Sequence, residues 1–262
     1  EHAGCEVEVL EGHHCCGRPL YDYGFLNMAK SYLQRELRVL EPYIAAGTPM
    51  IVLEPSCCSV FRDEMHSWFP DAENARKLAQ NTFTLSEFLD KKLPGYQPPR
   101  TERKAIVQGH CHHKAIMRFK EEETLMSKMG LDQEVLESGC CGMAGSFGYE
   151  KDKYDVSIAC GERALLPAVR KAGLSTIIMA DGFSCKEQIS QETNRHALHL
   201  AEVLKMGLDD GGASQDPMYP EKQFVAARKL AQKKSMLRAG VVTLGAIAFA
   251  ALGLALAKRT RE

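Results

Sequence analysis

The sequence predicts an α/β protein, two tandem parallel-sheet (Rossmann-like) Cys-Cys-Gly units followed by a C-terminal transmembrane helix. Three observations carry that expectation. Through residue 208, short β-branched or aliphatic runs alternate with longer amphipathic stretches, the pattern of strand–helix units that build parallel sheets. The tripeptide Cys-Cys-Gly occurs twice, at 15–17 and 140–142. Finally, residues 239–257 contain no charged side chain.

Strands are expected at 7–10, 50–53, 105–107, 134–136 and 176–179, each a short apolar run. Helices are expected at 26–46, 113–129, 154–171 and 195–206. Gly47, Gly130 and Gly173 follow helical stretches as stop signals. The repeat is internal: Cys16 and Cys141 are separated by 125 residues, Cys57 and Cys185 by 128. Each half has a Cys-Cys-Gly, a long helix, then a strand leading into Pro55-Ser56-Cys57 or Phe183-Ser184-Cys185. The expected division is 1–93 for the first unit, 94–103 for a Pro/Gly linker, and 104–208 for the second unit. Residues 209–238 form a polar linker and basic juxtamembrane segment, 239–257 the membrane helix and 258–262 a tail. The chain opens on Glu1-His2-Ala3-Gly4-Cys5 with no initiator Met, so the first unit is expected to be cut short at its start.

Composition sets the remaining bounds. Of 262 residues, 45% are hydrophobic and 26% charged, which is ordinary globular usage and excludes a disordered or collagen-like chain. The net charge of −1 is a cancellation. Residues 221–262 carry nine Lys/Arg against two Glu, so the body is acidic and the tail basic. An acidic body is a poor partner for a phosphate backbone, and nucleic-acid binding is set aside. The uncharged stretch would make about 28 Å of helix, close to the bilayer core. Six basic residues before it and three after place the body on the cytoplasmic side of the cell membrane with a single-pass C-terminal anchor.

The ten cysteines carry the chemistry. Cys15, Cys57, Cys111, Cys140 and Cys185 each fall a few residues after an expected strand, so their loops converge on the carboxyl edge of a parallel sheet, where ligands bind. The second unit gathers Cys111, Cys140, Cys141 and Cys185, four thiolates from three loops, the ligand count of an iron–sulfur cluster or a structural zinc. The first offers Cys15, Cys16, Cys57 and Cys58 from two loops. Gly17, Gly142 and Gly145 allow backbone N–H groups to approach a negative cluster. His110, His112 and His113 flank Cys111 as further ligands or proton carriers, or as capping side chains. Cys5, Cys160 and Met143 read as packing residues, and His196 and His199 as packing or capping ones.

The stretches Cys15-Cys16-Gly17-Arg18-Pro19-Leu20-Tyr21-Asp22-Tyr23-Gly24, Gly109-His110-Cys111-His112-His113-Lys114-Ala115, Gly139-Cys140-Cys141-Gly142-Met143-Ala144-Gly145-Ser146-Phe147-Gly148 and Ala180-Asp181-Gly182-Phe183-Ser184-Cys185 together resemble the cysteine-rich CCG domains. Such domains occur in the B chain of heterodisulfide reductase and in the iron–sulfur chain of glycolate oxidase. The wording around 139–148 and 195–202 is most similar to the C-terminal part of fused FAD-linked, iron–sulfur D-2-hydroxyacid dehydrogenases acting on D-lactate or D-2-hydroxyglutarate. The resemblance covers residues 1 to about 208. It implies an electron-transfer module with an iron–sulfur cluster of 4Fe-4S type, FAD on a missing or partner flavoprotein domain, a ferredoxin-type cluster domain, and a quinone or similar acceptor. Two features depart from the heterodisulfide reductase pattern. Cys185 is followed by Lys186-Glu187-Gln188 rather than a second cysteine two residues on, and Cys58 directly abuts Cys57. Two other functions remain open at this point: a thiol–disulfide reductase, and a zinc-stabilised scaffold without catalysis.

Overall fold

The computed structural model describes residues 1–210, 218–237 and 239. Residues 1–221 pack as one compact unit, and residues 222–262 form a second.

The chain starts extended. Residues 7–10 form no strand, and Val7 and Val9 are exposed, because no neighbouring strand offers a ladder to the alternating Glu and Val. Helix α1 (Arg18–Asp22) follows Gly17, with Pro19 in its first turn, where a missing N–H costs nothing. Helix α2 (Leu26–Ala46) buries Ala29, Leu33, Leu37 and Leu40 on one face. It stops at Gly47, whose left-handed φ of 71° lets the Gly47 and Thr48 N–H groups bond the carbonyls of Ile44 and Tyr43. Strand β1 (Met50–Ile51) leads to α3 (Pro55–Ser59), capped by the Glu54 carboxylate on Ser56 N–H at 3.2 Å. The helix continues through a π-turn at Val60–Glu64 into α4 (Met65–Trp68). Next come α5 (Glu73–Gln80), β2 (Thr82–Phe83), which pairs in parallel with β1, and α6 (Leu85–Lys91) with a Thr84/Glu87 capping box.

In the second half β3 (Lys104–Gln108) runs into α7 (Cys111–Met117), then α8 (Lys120–Lys128), β4 (Asp132–Val135), a loop containing a short 3-10 turn, α9 (Tyr154–Glu162), α10 (Leu165–Lys171), β5 (Ile177–Ala180), α11 (Phe183–Glu192) and α12 (Leu200–Asp210). The helix expected at 113–129 is two helices. Arg118 and Phe119 both take left-handed backbone, a turn that lets Met117 and Phe119 both bury. The stretch at 154–171 likewise divides. The one expected at 195–206 begins only at Leu200, because the residues before it run beside β5, with Leu198 bridged to Met179.

The strands β4, β3 and β5 form one parallel sheet in that order, with Val107 opposite both Val135 and Met179. Strand β5 is buried on both faces, since α-helices cover it and the Leu198 segment shields its edge. Its Ile177, Ile178 and Met179 side chains each contribute roughly 1.5–3 kcal/mol through burial. A buried ion pair closes the unit: Arg195 bonds Glu221 at 2.6 Å and the Thr176 carbonyl at 2.6 Å.

The α/β class with short parallel sheets stands, and the transmembrane helix is corrected. Among the described residues no helix is long and apolar enough to cross a membrane. All of 239–257 except Ala239 lies outside the described residues. The described helix at 222–237 carries Lys222, Arg228, Lys229, Lys233 and Lys234, charges that water solvates and hydrocarbon does not. The single-pass anchor, and the placement at the cytoplasmic side of the cell membrane that rested on it, are therefore unsupported.

Candidate metal centre

Because β3, β4 and β5 are adjacent and parallel, the loops leaving their carboxyl ends emerge side by side. Each brings cysteine. Cys111 opens α7, where the His110 ring caps the helix by accepting His112 N–H at 3.2 Å. Cys140 and Cys141 follow β4 on a loop held from below. Gln108 bonds Ser138 at 2.5 Å and the Gly139 carbonyl at 3.3 Å, and Lys114 bonds the Leu136 carbonyl at 2.7 Å. Cys185 lies in the first turn of α11 and is buried.

Cys111, Cys140, Cys141 and Cys185 all line one cavity. Cys111 and Cys141 act on the Cys140 thiol, and Cys185 acts on that of Cys141. The Cys111 and Cys141 thiols, with help from the Gly142 N–H at 3.3 Å, lower the Cys140 thiol and favour its ionised form. Donating to it pushes Cys111 and Cys141 upward, as burial also does. Gly142 is obligatory: its φ is 99°, and a Cβ there would sit 2.0 Å from the Ser157 carbonyl oxygen. Gly145 donates its N–H to Ser184 at 3.0 Å, tying the Cys-Cys-Gly loop to the start of α11.

The first half gathers fewer sulfurs. Cys16 and Cys57 stand 3.0 Å apart. The bond to Cys57 lowers Cys16, with Arg18 assisting, and raises Cys57. Cys15 accepts Gly17 N–H at 3.4 Å and acts electrostatically on Cys57. Cys58 is placed elsewhere. It is fully buried beside Arg62 and Glu87, and burial pushes its thiol up to about 12. The break comes from the helix itself, since successive residues on α3 point about 100° apart.

Above the second set of sulfurs lies a cavity of about 420 Å³. Arg18, Asp22, Tyr23 and Ser56 wall it from the first half, and His110, His112, Glu150 and Lys153 from the second. Arg18 is tied to Glu64 at 2.5 Å and Ser59 at 2.7 Å, and Tyr23 bonds Glu150 at 2.9 Å. Burial lowers His110 to about 4, so its ring is neutral at pH 7. Burial, followed by Arg18, also lowers His112, whose ring stacks on His110 at 5.3 Å. Exposed Cys111 and Cys140 face this space.

Glu54 was not singled out by sequence reasoning. One carboxylate oxygen caps α3 beside Cys57, and the other accepts the Phe183 N–H at 2.7 Å at the start of α11. One side chain thus links the two cysteine-bearing helix starts. Its position just before Pro55-Ser56-Cys57 was the available signal for the cap, whereas the bond across to Phe183 has no sequence signature.

Comparison with known proteins finds a cysteine-rich domain and dehydrogenase-related proteins. Residues 1–62 match the family model for CCG, a cysteine-rich domain. The chain is 28% identical over 222 residues to lactate utilization protein A of Bacillus subtilis strain 168, covering 78% of this chain and 88% of that protein. It is 28% identical over 212 residues to the C chain of the anaerobic glycerol-3-phosphate dehydrogenase of Escherichia coli K12, 78% of this chain and 52% of that one. It is 27% identical over 190 residues to the D-2-hydroxyglutarate dehydrogenase of Pseudomonas putida, covering 72% of this chain but 18% of the larger enzyme.

Proposed function

We propose that this chain, which carries a cysteine-rich CCG domain and is related to dehydrogenases and their subunits, is the iron–sulfur-binding, electron-transfer part of a flavin-linked oxidoreductase. The supporting observation is that Cys111, Cys140, Cys141 and Cys185, carried by loops leaving three adjacent parallel strands, line one cavity. Four thiols carried on three loops are a donor set that would hold an iron–sulfur cluster, and its binding would release their protons. Cys15, Cys16 and Cys57 would supply a second, three-sulfur site. A bound cluster of 4Fe-4S type would accept and release single electrons. Zinc is the alternative occupant of the same thiolates.

Around it the chain's own residues have definable tasks. Gly142 N–H donates to Cys140, which stabilises negative charge on the sulfur. Arg18 and the neutral His110 and His112 rings line the route from solvent to the exposed Cys111 and Cys140 edge. The reaction we assign to the whole assembly is the two-electron, two-proton oxidation of a D-2-hydroxyacid, of lactate, glycolate or 2-hydroxyglutarate type, to its 2-oxoacid, with FAD on a partner flavoprotein or domain as the acceptor. Electrons then pass through a ferredoxin-type cluster domain and this chain toward a quinone or similar acceptor. The names of the lactate and hydroxyglutarate relatives support that substrate class.

Anaerobic purification followed by iron and acid-labile sulfide analysis tests this reading. Matched iron and sulfide are expected, with most of the signal lost in Cys140→Ser. Stoichiometric zinc without iron would refute it. The exposed Cys140, whose thiol its neighbours lower, also favours a second reading, thiol–disulfide chemistry at the cavity. Selective alkylation of Cys140 in the iron-loaded protein would support that reading, and uniform protection would remove it.

A further inference from the structure

A second cluster of metal-ligating groups lies away from the cysteines and plays no part in the function above. His113 on α7, Glu122 on α8 and Asp181 at the end of β5 bring one ligand atom each to within 4.8 Å of one another. His113 and Glu122 are 1% and 2% exposed. The His113 Nδ1 and the Glu122 Oε2 are buried atoms without a hydrogen-bond partner. Such groups in a folded interior ordinarily cost about 1–3 kcal/mol each if left unsatisfied.

Among the described residues, His199 approaches Asp181 at 3.6 Å. Its ring is already engaged, however: Nε2 bonds the Leu53 carbonyl at 2.9 Å, and Nδ1 accepts Ala201 N–H at 2.9 Å, the pattern of a neutral imidazole. Asp181 uses Oδ1 to accept Leu200 N–H at 2.8 Å. Glu87 and Glu121 add negative field at His113, each paired with Lys91. Burial, and then Asp181, raise the Glu122 carboxyl well above its ordinary range.

We propose that His113, Glu122 and Asp181 bind one divalent cation of the zinc class, distinct from the cysteine sites. The donor set, one imidazole and two carboxylates, suits zinc or a similar borderline ion. A dication would supply the positive charge that lets both buried carboxyls ionise. Tetrahedral zinc ligands lie about 3.4 Å apart, so modest side-chain rotation closes the set. The placement gives the ion a role. His113 is two residues from Cys111 on the same helix, and Asp181 precedes the α11 turn holding Cys185, so one ion cross-links the two outer arms of the sulfur site.

The test uses the iron-loaded full chain with Zn2+ as probe, comparing wild type with the isosteric Glu122→Gln variant. Wild type is expected to hold one zinc equivalent beyond its iron, with a zinc-edge X-ray absorption spectrum showing nitrogen and oxygen neighbours and no sulfur. Glu122→Gln should keep its iron and bind zinc at least about tenfold more weakly. Zinc should raise the wild-type melting temperature and leave that of the variant unchanged. A sulfur shell, or equal zinc affinity in both proteins, overturns the proposal. So does a Glu122→Gln melting temperature that exceeds wild type whether or not zinc is present, because a shared proton then explains the pair. Should Glu122→Gln fail to fold, Asp181→Asn is read in the same way, and the wild-type spectrum decides independently.

Discussion

Gly142→Ala is the sharpest probe of the sulfur site, and Gly17→Ala is its internal control. Both glycines sit at the same place in their Cys-Cys-Gly motifs and both have positive φ, 99° and 78°. A left-handed alanine costs roughly 1–2 kcal/mol in either position. At Gly17 the added Cβ meets Ala29 at 3.4 Å, an ordinary contact, so the cost ends there. At Gly142 it lands 2.0 Å from the Ser157 carbonyl oxygen, 2.9 Å from its carbon and 3.2 Å from the Cys160 Cβ. Neither the Ser157 backbone nor the Cys160 Cβ can rotate away, so the loop or α9 must shift, at a further cost of roughly 1–3 kcal/mol. A total near 3 kcal/mol lowers the melting temperature by about 6–12 °C for a unit of this size. The shift also pulls the Gly142 N–H off the Cys140 sulfur. Thermal unfolding and iron content, measured on both variants, should show the larger melting loss and the larger iron loss in Gly142→Ala. Equal effects in the two variants, or a Gly142→Ala protein with full iron and unchanged melting, would refute this account of the loop.

Other expectations follow from the same geometry. Cys58→Ala should keep the iron content of wild type and cost about 1 kcal/mol, whereas Cys57→Ser should lower iron; metal analysis of the pair decides between them. Glu54→Ala removes acceptors for Ser56 and Phe183 together, and is expected to destabilise by about 1–3 kcal/mol in urea unfolding and to slow reconstitution with iron and sulfide. Glu221→Ala strands Arg195 in the interior and should cost about 3–5 kcal/mol by the same assay. For pH, burial works to raise Glu87, but the Arg62 bond at 2.6 Å, the Thr84 N–H and Lys91 outweigh it and hold the carboxyl below 4.5. A depressed carboxyl stabilises the fold fully above 4.5 and loses that contribution as pH falls through its folded value. Acid titration of unfolding should therefore be steeper in wild type than in Glu87→Gln.

The convergence of the cysteine loops was legible in the sequence. The Cys-Cys-Gly spacing, together with apolar runs ending just before Cys111, Cys140 and Cys185, required only that β3, β4 and β5 be parallel neighbours, which they are. Helix α2 was readable to its last residue, because its Leu periodicity and Gly47 are local signals. Less was legible where a local pattern admitted two outcomes. The Glu/Val alternation at 7–10 reads as a strand but has no partner, and the stretch at 113–129 reads as one helix until Met117 and Phe119 both need burial. Strand β2 is only two residues long and carries no periodicity at all.

Taken alone, the sequence determined that this is an α/β chain with its Cys57-Cys58 and Cys140-Cys141 pairs just beyond strands, since strand period, helix stops and thiol identity are properties of neighbours along the chain. Only the tertiary structure decided the rest: that Cys58 turns toward Arg62 and away from Cys16, that Glu54 ties α3 to α11, that Arg18 and Tyr23 wall a cavity over sulfurs of the other half, and that His113, Glu122 and Asp181 converge. Each of these depends on which face of a helix meets a segment more than fifty residues away, or a second helix brought beside it. That choice is set by packing of the whole interior rather than by any local run of residues.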